Sequence, residues 1–369
     1  MVQDERPPEV QDGTRPLSVL FVTRKWPPAS GGMETYSREL TDELSRYTRL
    51  ATRVLPGRAN GKPPSLLAYW WFSVASFANV LYSARRFDVL HIGDLALWPL
   101  AVAARVGSRK IRVFASGHGT DIAYPLRPGI RPRIYGIYLK LGTTLAPRLS
   151  LIANSRATAK LCETAGYHVS AIIPLGVQAD FERRPAEDPG RYLLFVGRLV
   201  RRKGCAWFIR EVLPRVGPGV SLKVAGVEWD AEESAALRSD RVEYLGPVYG
   251  QALRELRRNA VAVVMPNISC GRRDFEGFGL AALEASADGG VLLAAELDGI
   301  VDAVVDGVTG FLLPAEDAAS WAKCIQSVLE WPLGKRQAFT DRALQVVRDR
   351  YSWKRVARET LETYGASGY

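Results

Sequence analysis

Two carboxylates frame a glycine-rich turn in the second half of the chain, in the stretch Glu276-Gly-Phe-Gly-Leu-Ala-Ala-Leu-Glu284. Apolar residues recur at helical spacing from Phe278 to Ala287, so we expect Glu276 in the turn and Glu284 one turn into a helix. A helix N-terminus presents free N–H donors and a partial positive charge, which together suit a phosphate. The flanking carboxylates suit sugar hydroxyls, although the same residues would also serve a plain helix with an acidic start.

A basic turn, Gly197 to Gly204, follows directly on a strand predicted over Arg191–Val196. Arginine offers a planar fork and lysine a mobile point charge to phosphate oxygens. Because this turn lies where a strand ends and a helix begins, we expect Arg198 and Lys203 to bind phosphate. The alternative is a solvated basic surface.

A second glycine-bearing loop occupies the equivalent place in the first half of the chain. Its backbone N–H groups are expected to face a phosphate or an acceptor hydroxyl, and the alternative is an ordinary turn between a strand and a helix. The residues of this loop are Gly31, Gly32, Met33 and Glu34.

One of the three histidines, His118, lies between two glycines just after a predicted strand. A histidine presented at the end of a strand suits a catalytic or orienting role better than a structural one. Asp121, three residues later, is expected either to hold the His118 ring or to cap the following segment.

Two familiar catalytic patterns are missing from the sequence. There is no Asp-x-Asp pair, the usual clamp for Mg²⁺ on a diphosphate, and no G-x-S-x-G motif for a nucleophilic serine. We therefore expect no metal and no other cofactor, with Arg198, Lys203 and the helix N-terminus supplying the positive charge.

Composition points to a two-domain globular protein: 369 residues, 47% hydrophobic and 24% charged. The four cysteines are scattered without a C-x-x-C spacing, which indicates neither zinc nor disulfides and favours the cytoplasm. They are Cys162, Cys205, Cys270 and Cys324.

The net charge of +10 arises entirely in residues 1–180, which hold 23 Lys and Arg against 13 Asp and Glu. Between Asp121 and Glu163 there is no acidic residue. Such a bias fits a solvated surface, a phosphorylated acceptor or an acidic lipid surface. We expect no nucleic-acid partner, because no nucleic-acid-binding motif accompanies the charge.

The uncharged segment from Pro63 to Ala84 is rich in tryptophan and other aromatic residues. Ser73, Ser76 and Asn79 dilute its apolar character, so a membrane span is not favoured. We expect either a buried helix or a helix whose aromatic side rests in a membrane interface.

Alternating strands and helices predict an α/β fold with two Rossmann-like, doubly wound domains facing a cleft. The predicted organisation is a disordered tail (1–16), a first domain (17–178), a linker (179–190), a second domain (191–350) and a C-terminal helix (351–369) packing back on the first domain. Strands are expected at Leu17–Thr23, Asp88–Ile92, Ile111–Ala115, Leu151–Ala153, Arg191–Val196, Ser221–Ala225, Val261–Met265, Val291–Ala295 and Gly310–Leu313.

Taken together and in this order, these motifs resemble those of the GT-B glycosyltransferases of family 4, also called glycosyl transferases group 1. The resemblance covers about residues 17–366. It rests on Gly31–Glu34, His118–Asp121, Asn154-Ser155, Val196–Leu199 with Lys203-Gly204, and Glu276–Gly279 with Glu284.

The resemblance implies a retaining enzyme that uses a nucleotide sugar. Arg198 and Lys203 would grip the pyrophosphate, Glu276 would hold the transferred sugar, and Glu284 would bind the ribose. His118 would lie beside the donor sugar. The backbone of Phe278, Gly279 and Leu280 would meet sugar and phosphates, with Gly197 in the same donor site, and Gly31, Gly32, Met33, Glu34 and Asp121 on the acceptor side.

Two stretches depart from the family pattern. The residues before Glu276 are unusually basic, Cys270-Gly271-Arg272-Arg273, and Leu297-Asp298-Gly299-Ile300 replaces the more usual Gly-Gly-x-Pro-Glu turn. Both bear on the shape of the sugar pocket.

We therefore expect a cytoplasmic retaining hexosyltransferase that uses a UDP- or GDP-sugar. Its acceptor is expected to be a saccharide or lipid-linked saccharide of cell-surface polysaccharide or glycoconjugate assembly, with peripheral contact at the inner membrane face. The alternatives are a nucleotide-sugar epimerase of the same fold, a dinucleotide-dependent oxidoreductase, and a non-catalytic nucleotide or sugar sensor.

Overall fold

A computed structural model describes residues 15–29, 31–58, 63–179, 190–271 and 274–365. The chain divides into two compact units. Unit 1 comprises the residues up to Leu175 together with Trp353–Tyr369, and unit 2 is Gly176–Ser352. The last helix is therefore part of unit 1. Most of the predicted tail and of the predicted linker lies outside the described residues.

Unit 1 is built on a six-stranded parallel sheet in the order β2-β1-β3-β4-β5-β6. Its strands are β1 (Ser18–Trp26), β2 (Arg49–Pro56), β3 (Val89–Ile92), β4 (Arg112–Gly117), β5 (Ser150–Ala153) and β6 (His168–Ile172). Its helices are α1 (Gly32–Leu44), α2 (Leu66–Ser83), α3 (Pro99–Gly107), α4 (Thr120–Ala123), α5 (Ile130–Leu145), α6 (Arg156–Thr164) and α14 (Trp353–Thr363).

Unit 2 is built on a second six-stranded parallel sheet, in the order β12-β11-β10-β7-β8-β9. Its strands are β7 (Tyr192–Val196), β8 (Ser221–Ala225), β9 (Val242–Gly246), β10 (Ala262–Met265), β11 (Leu292–Ala295) and β12 (Phe311–Leu313). Its helices are α7 (Cys205–Trp207, continued by a π-helical turn, Phe208–Val212), α8 (Ala231–Ala236), α9 (Gly250–Asn259), α10 (Leu280–Ala287), α11 (Ile300–Ala303), α12 (Ala318–Leu329) and α13 (Leu333–Arg350).

The central strands are apolar on both faces because helices cover both sides of each sheet. Every residue of β3, β10 and β11 is buried. The predicted α/β class with two doubly wound sheets is confirmed.

Sequence analysis missed β2, β6 and β9, and all three are edge strands. Their residues are all half-buried or exposed. An edge strand therefore lacks the continuous apolar run that revealed the central strands.

The aromatic segment forms helix α2, but the expectation of a buried helix is wrong. Only Ser76 and Val80 are buried in α2, while Trp70 and Trp71 are 57% and 59% exposed. Among the described residues, no helix combines the length and the apolar character needed to cross a bilayer.

Candidate functional site

The basic turn of unit 2 is anchored by a glycine that no other residue could replace. Gly204 follows Lys203 in the left-handed conformation (φ 68°), and a Cβ there would lie 2.0 Å from the carbonyl oxygen of Pro266. The backbone N–H of Ile268 also donates to the carbonyl of Arg202 at 3.1 Å. The turn after β7 is thereby pinned against the loop that follows β10.

Lys203 and Arg202 meet Glu276 in a largely buried cluster. The Lys203 Nζ lies 2.6 Å and the Arg202 Nε 3.6 Å from Glu276 Oε2, and the Glu276 side chain is 14% exposed. The Asn267 Nδ2 donates to the same oxygen at 3.4 Å. Burial alone would raise the pKa of Glu276, but the charges of Lys203 and Arg202 outweigh it and hold this pKa below its ordinary value. The carboxylate is therefore ionised at neutral pH.

Sequence analysis did not single out Arg202, which contacts Glu276. Arg202 is buried and also pairs with Asp274 at 3.4 Å. Arg198 is exposed at the end of β7. The sequence signal for Arg202 was its position beside Lys203, but the spacing alone did not show which arginine of the turn points inward.

The unusual Leu297–Ile300 turn supports the Glu276 loop. Asp298 Oδ2 accepts the Glu276 backbone N–H at 3.1 Å, and the Gly299 N–H donates to the Glu276 carbonyl at 3.0 Å. A Cβ on Gly299 would lie 2.0 Å from the Gly277 carbonyl oxygen. Burial raises the pKa of Asp298. The departure from the family pattern thus serves as the support of the Glu276 turn.

Helix α10 begins at Leu280, two residues later than the sequence predicted. Gly279 precedes it in the left-handed conformation (φ 83°) and provides no side-chain cap, so the first-turn N–H groups face the glycine turn. Phe278 is buried beneath the turn. An uncapped N-terminus next to the Glu276 loop is a suitable place for an anionic group.

Glu284 points away from Glu276, towards helix α9. Its Oε2 lies 2.5 Å from Arg257 Nη2, and Arg257 Nη1 lies 2.7 Å from Asp288 Oδ2. Arg257 and Asp288 are buried, whereas the Glu284 side chain is 37% exposed. Arg257, which sequence analysis missed, therefore sets the direction of Glu284.

In unit 1, the His118 ring is held by a backbone carbonyl. Its Nε2 lies 2.9 Å from the Gly93 oxygen, and its ring meets Tyr36 edge to face. The proposed contact between Asp121 and this ring is wrong, because Asp121 Oδ1 accepts the backbone N–H groups of His118 and Ile122. The alternative, in which Asp121 caps the start of the following segment, is what the structure shows.

The Gly31–Glu34 loop forms the beginning of α1, directly after the loop that follows β1. Met33 is half-buried and Glu34 is buried, with Lys25 Nζ 3.9 Å from Glu34 Oε1. Ser30, which precedes these residues, lies outside the described residues.

Sequence analysis also missed an ion pair at the carboxyl edge of the unit 1 sheet. The Arg24 Nε lies 3.0 and 3.1 Å from the two carboxylate oxygens of Asp94, which is fully buried. The Arg24 guanidinium lies 5.1 Å from the centre of the Tyr69 ring. Both charged residues immediately follow or end predicted strands, and that position was the available signal.

No group of three or more His, Cys, Asp or Glu side chains is arranged to hold a metal ion within the described part of the chain. The expected independence from metals stays a prediction.

Comparison with known proteins finds a family model that matches much of unit 2. Residues 190–330 match the family model described as glycosyl transferases group 1. This range contains the basic turn, Glu276 and Glu284.

Two curated relatives illustrate the similarity. The chain is 33% identical to a glycogen synthase of Mycobacterium tuberculosis over 194 residues, which cover 50% of this chain and 44% of the relative. It is 29% identical to a D-inositol 3-phosphate glycosyltransferase of Salinispora tropica over 234 residues, covering 59% of this chain and 46% of the relative. The matches therefore span less than half the length of these relatives.

Two solved structures show the same fold along nearly the whole chain. HepE of Anabaena, solved in complex with UDP and glucose, superposes with a TM-score of 0.69 at 18% identity and covers 95% of this chain and 100% of its own. Sucrose-phosphate synthase of Thermosynechococcus elongatus gives a TM-score of 0.70, also at 18% identity, with 94% and 98% covered. At this identity the likeness concerns the fold alone. Over residues 190–330 the chain is similar to the group 1 glycosyltransferases, and its two doubly wound units have the GT-B fold.

Proposed function

We propose that the protein is a retaining hexosyltransferase that moves a hexose from a UDP- or GDP-sugar to a saccharide or lipid-linked acceptor. The family match of residues 190–330 and the transferase names of the relatives support this activity. UDP and glucose in the HepE complex support a nucleotide-sugar donor. The proposed setting is cell-surface polysaccharide or glycoconjugate biosynthesis in the cytoplasm.

The observation that carries the proposal is the contact of Lys203 and Arg202 with Glu276 beside the start of α10. This cluster combines donors for phosphate oxygens with a carboxylate for sugar hydroxyls. Lys203 and Arg198 would bind the diphosphate, assisted by backbone N–H groups near Gly279. Glu276 would accept a hydrogen bond from the hexose, and Glu284 one from the ribose.

In the proposed reaction, the bond between the anomeric carbon and the phosphate oxygen breaks. The acceptor oxygen bonds to that carbon on the same face, and its proton passes to the departing diphosphate. No protein nucleophile is required, so stabilisation of the leaving group by fixed charges and N–H dipoles supplies most of the catalysis. His118, held through its Nε2 contact with the Gly93 oxygen, would lie beside the donor sugar as a hydrogen-bonding group.

Product analysis with radiolabelled UDP- and GDP-hexoses tests this function. Transfer to a saccharide or lipid-linked acceptor, with the α or β configuration of the donor retained, is expected from the wild type. Glu276→Gln, which keeps the size and removes the charge, is expected to retain nucleotide binding and lose transfer. Turnover of donor alone into an isomeric nucleotide sugar would instead establish the epimerase alternative.

Two further outcomes would count against the proposal. Nucleotide binding without turnover across the donor panel would favour a sensor. Loss of turnover on adding EDTA, with recovery on adding Mg²⁺, would overturn the proposed role of Lys203 and the helix N-terminus in place of a metal.

We also propose that the acceptor is reached at the inner face of a membrane, where the protein binds peripherally. The charge excess of residues 1–180 supports this location.

A further inference from the structure

Helix α2 is turned with its apolar side to the solvent. Seven of its large apolar side chains are exposed by 37–85%, whereas Tyr69, Phe72 and Leu81 are half-buried and its two buried residues are Ser76 and Val80. The exposed residues are Leu66, Leu67, Trp70, Trp71, Val74, Phe77 and Tyr82. A surface helix normally does the reverse.

Contacts of two arginines with the inward-facing side of α2 stabilise this orientation. The Arg53 Nε donates to Ser76 Oγ at 2.8 Å, and its guanidinium lies 5.8 Å from the centre of the Phe72 ring. Arg24, fixed by Asp94, lies against the Tyr69 ring. Rotating the helix to bury its tryptophans would break these contacts, so the apolar outer face is part of the folded state.

Helix α5 carries a second exposed apolar stripe. Its outward residues follow the helical spacing of one face, and each is 49–71% exposed. They are Ile130, Ile134, Ile137, Leu141 and Leu145. The opposite face packs inward through Leu139 and through Tyr138, whose ring lies 5.3 Å from that of Trp98.

The two helices lie on the same face of the unit 1 sheet. Residues of α2, α3 and α5 share one buried core, to which Val80, Ala104 and Leu139 contribute. The strand connections β2–β3, β3–β4 and β4–β5 also run in one direction along the sheet, which puts their helices on one side. We call the outer sides of α2 and α5 the apolar face.

Exposed cations lie within α5 or within three residues of the ends of α2, α3 and α5. They are Arg85, Arg86, Arg109, Lys110, Arg127, Arg131, Arg133, Lys140 and Arg148. Residues 63–162 contain three acidic groups, and each is engaged within the unit: Asp88 with Ser18, Asp94 with Arg24, and Asp121 with His118.

At the start of α5 the cations line a groove. The groove has a volume of about 420 Å³ and is bordered by Arg127, Arg133 and Lys140, with Ile137 beside them. Positive charge at the edge of an apolar surface matches lipid phosphate at the edge of the acyl region.

We propose that the apolar face docks on the surface of an anionic lipid bilayer, with Trp70, Trp71 and the α5 isoleucines in the interface. The exposed cations would contact lipid phosphates. This inference rests on the proposed function, in which the acceptor is reached at the inner face of a membrane. A second copy of the chain is a poorer occupant, because two such faces would oppose like charges.

Sedimentation with vesicles tests the proposal. The wild type is expected to pellet with vesicles containing phosphatidylglycerol and to bind far less to pure phosphatidylcholine. Trp70→Ser/Trp71→Ser and Ile134→Ser/Ile137→Ser are expected to bind at least about tenfold more weakly, because they remove inserted apolar area. Arg131→Ala/Arg133→Ala is also expected to bind at least about tenfold more weakly, since each cation near an anionic surface raises the affinity for the vesicle about fivefold.

Matched controls come from unit 2. Trp229→Ser removes a tryptophan that is 72% exposed, and Arg238→Ala/Arg342→Ala removes two exposed cations. Both are expected to bind vesicles like the wild type. Should the controls weaken binding as much as the unit 1 variants, or the wild type show no preference for anionic vesicles, the proposal is overturned.

Three readouts keep this inference separate from the proposed activity. Circular dichroism and thermal unfolding show that each variant is folded, and quenching of tryptophan fluorescence by brominated lipids in the wild type, lost in Trp70→Phe/Trp71→Phe, shows insertion directly. Nucleotide-induced thermal shifts should be unchanged in the unit 1 variants. A wild type that dimerises through this face, with dimers lost in Trp70→Ser/Trp71→Ser and no vesicle binding, would establish the second copy instead.

Discussion

The charge cluster around Glu276 combines the features of a binding site with those of a structural ion pair. A carboxylate that is mostly withdrawn from water needs a cation, and Lys203 at 2.6 Å supplies it. The same lysine is the group proposed to meet the donor diphosphate. Phosphate binding therefore requires Lys203 to share its three N–H donors between Glu276 and the ligand.

Replacing Lys203 tests this sharing. Lys203→Ala is expected to lower kcat/KM by a factor that corresponds to a loss of about 1.5–3 kcal/mol of transition-state stabilisation, which is the contribution of a charge-assisted hydrogen bond. Lys203→Arg should recover part of the loss by keeping the charge. The control is Lys354→Ala, an exposed residue of α14. An unchanged kcat/KM in folded Lys203→Ala would show that the phosphate is held elsewhere.

Arg257 supports Glu284 and neutralises the buried Asp288. Arg257→Ala is expected to destabilise unit 2 by about 3 kcal/mol, because the buried Asp288 carboxylate loses its close partner and keeps the more distant Arg254, whose Nε lies 4.0 Å from Asp288 Oδ1. Urea unfolding measures the loss, and Arg238→Ala, at an exposed position, serves as the control.

Adding Asp288→Asn to Arg257→Ala separates the two roles of the arginine. The double variant should regain part of the stability, since the uncompensated charge is gone. Its affinity for UDP or GDP should remain reduced, because Glu284 still lacks the ion pair with Arg257 that orients its side chain. Full recovery of both properties would contradict a positioning role for Arg257.

Among the elements, a buried hydrogen-bond chain joins β3, β4, α1 and the residue that follows α14. His91 Nε2 lies 2.7 Å from Ser116 Oγ, which lies 2.8 Å from Tyr36 Oη, and His91 Nδ1 bonds to the Tyr364 hydroxyl. All four side chains are buried. Burial, assisted by the charge of His118, lowers the pKa of His91 to about 3.

This lowered pKa predicts acid sensitivity of unit 1. The unfolded histidine has a pKa near 6.5, so below that value the unfolded state takes up a proton that the folded state refuses. Stability is fully present above about pH 6.5 and falls by about 1.4 kcal/mol per pH unit towards pH 3. Hydrogen exchange of the β3 and β4 amides in urea, at pH 7.5 and pH 5, measures the loss.

His91→Asn removes the titration. This variant should be less stable at pH 7.5, because its smaller side chain packs poorly. Between pH 6.5 and pH 3, however, its unfolding free energy should fall less steeply with decreasing pH than that of the wild type, by the slope that corresponds to one proton. The exposed His168→Asn should keep the wild-type slope. Equal slopes for the wild type and His91→Asn would assign the acid sensitivity to other groups.

For the molecule as a whole, the two units have separate cores, and the chain returns to unit 1 only for its last helix. Trp353 and Leu361 of α14 and Tyr364, which follows it, are buried in unit 1, with the Tyr364 ring 5.1 Å from that of Phe114. Residues 190–350, which hold the candidate donor site, have their own sheet and core.

Removing residues 353–369 is therefore expected to affect the units unequally. Unit 1 should lose hydrogen-exchange protection, because the aromatic side chains of α14 no longer cover its sheet. Unit 2 should still bind its nucleotide and gain about 2.7 kcal/mol at a ligand concentration 100 times Kd. Hydrogen exchange with and without UDP or GDP measures both effects, and loss of nucleotide protection in unit 2 would contradict this independence.

The central strands and the order of the motifs followed from the chain itself. Buried parallel strands are continuous apolar runs, and glycine with charged residues at strand ends marks the turns that bear ligands. These are local signals, readable without knowledge of the partners. The family resemblance of about residues 17–366 rested on the same local signals.

Other features depended on partners distant in sequence. Arg202 contacts Glu276 because the turn is pinned to the loop after β10, 62 positions or more away along the chain. Helix α2 exposes its tryptophans because Arg24 and Arg53 bond to its other side, although its composition suggested burial. Spacing along a chain defines which residues share an element, whereas the direction a side chain faces is decided by the free energy of contacts that only the folded units bring together.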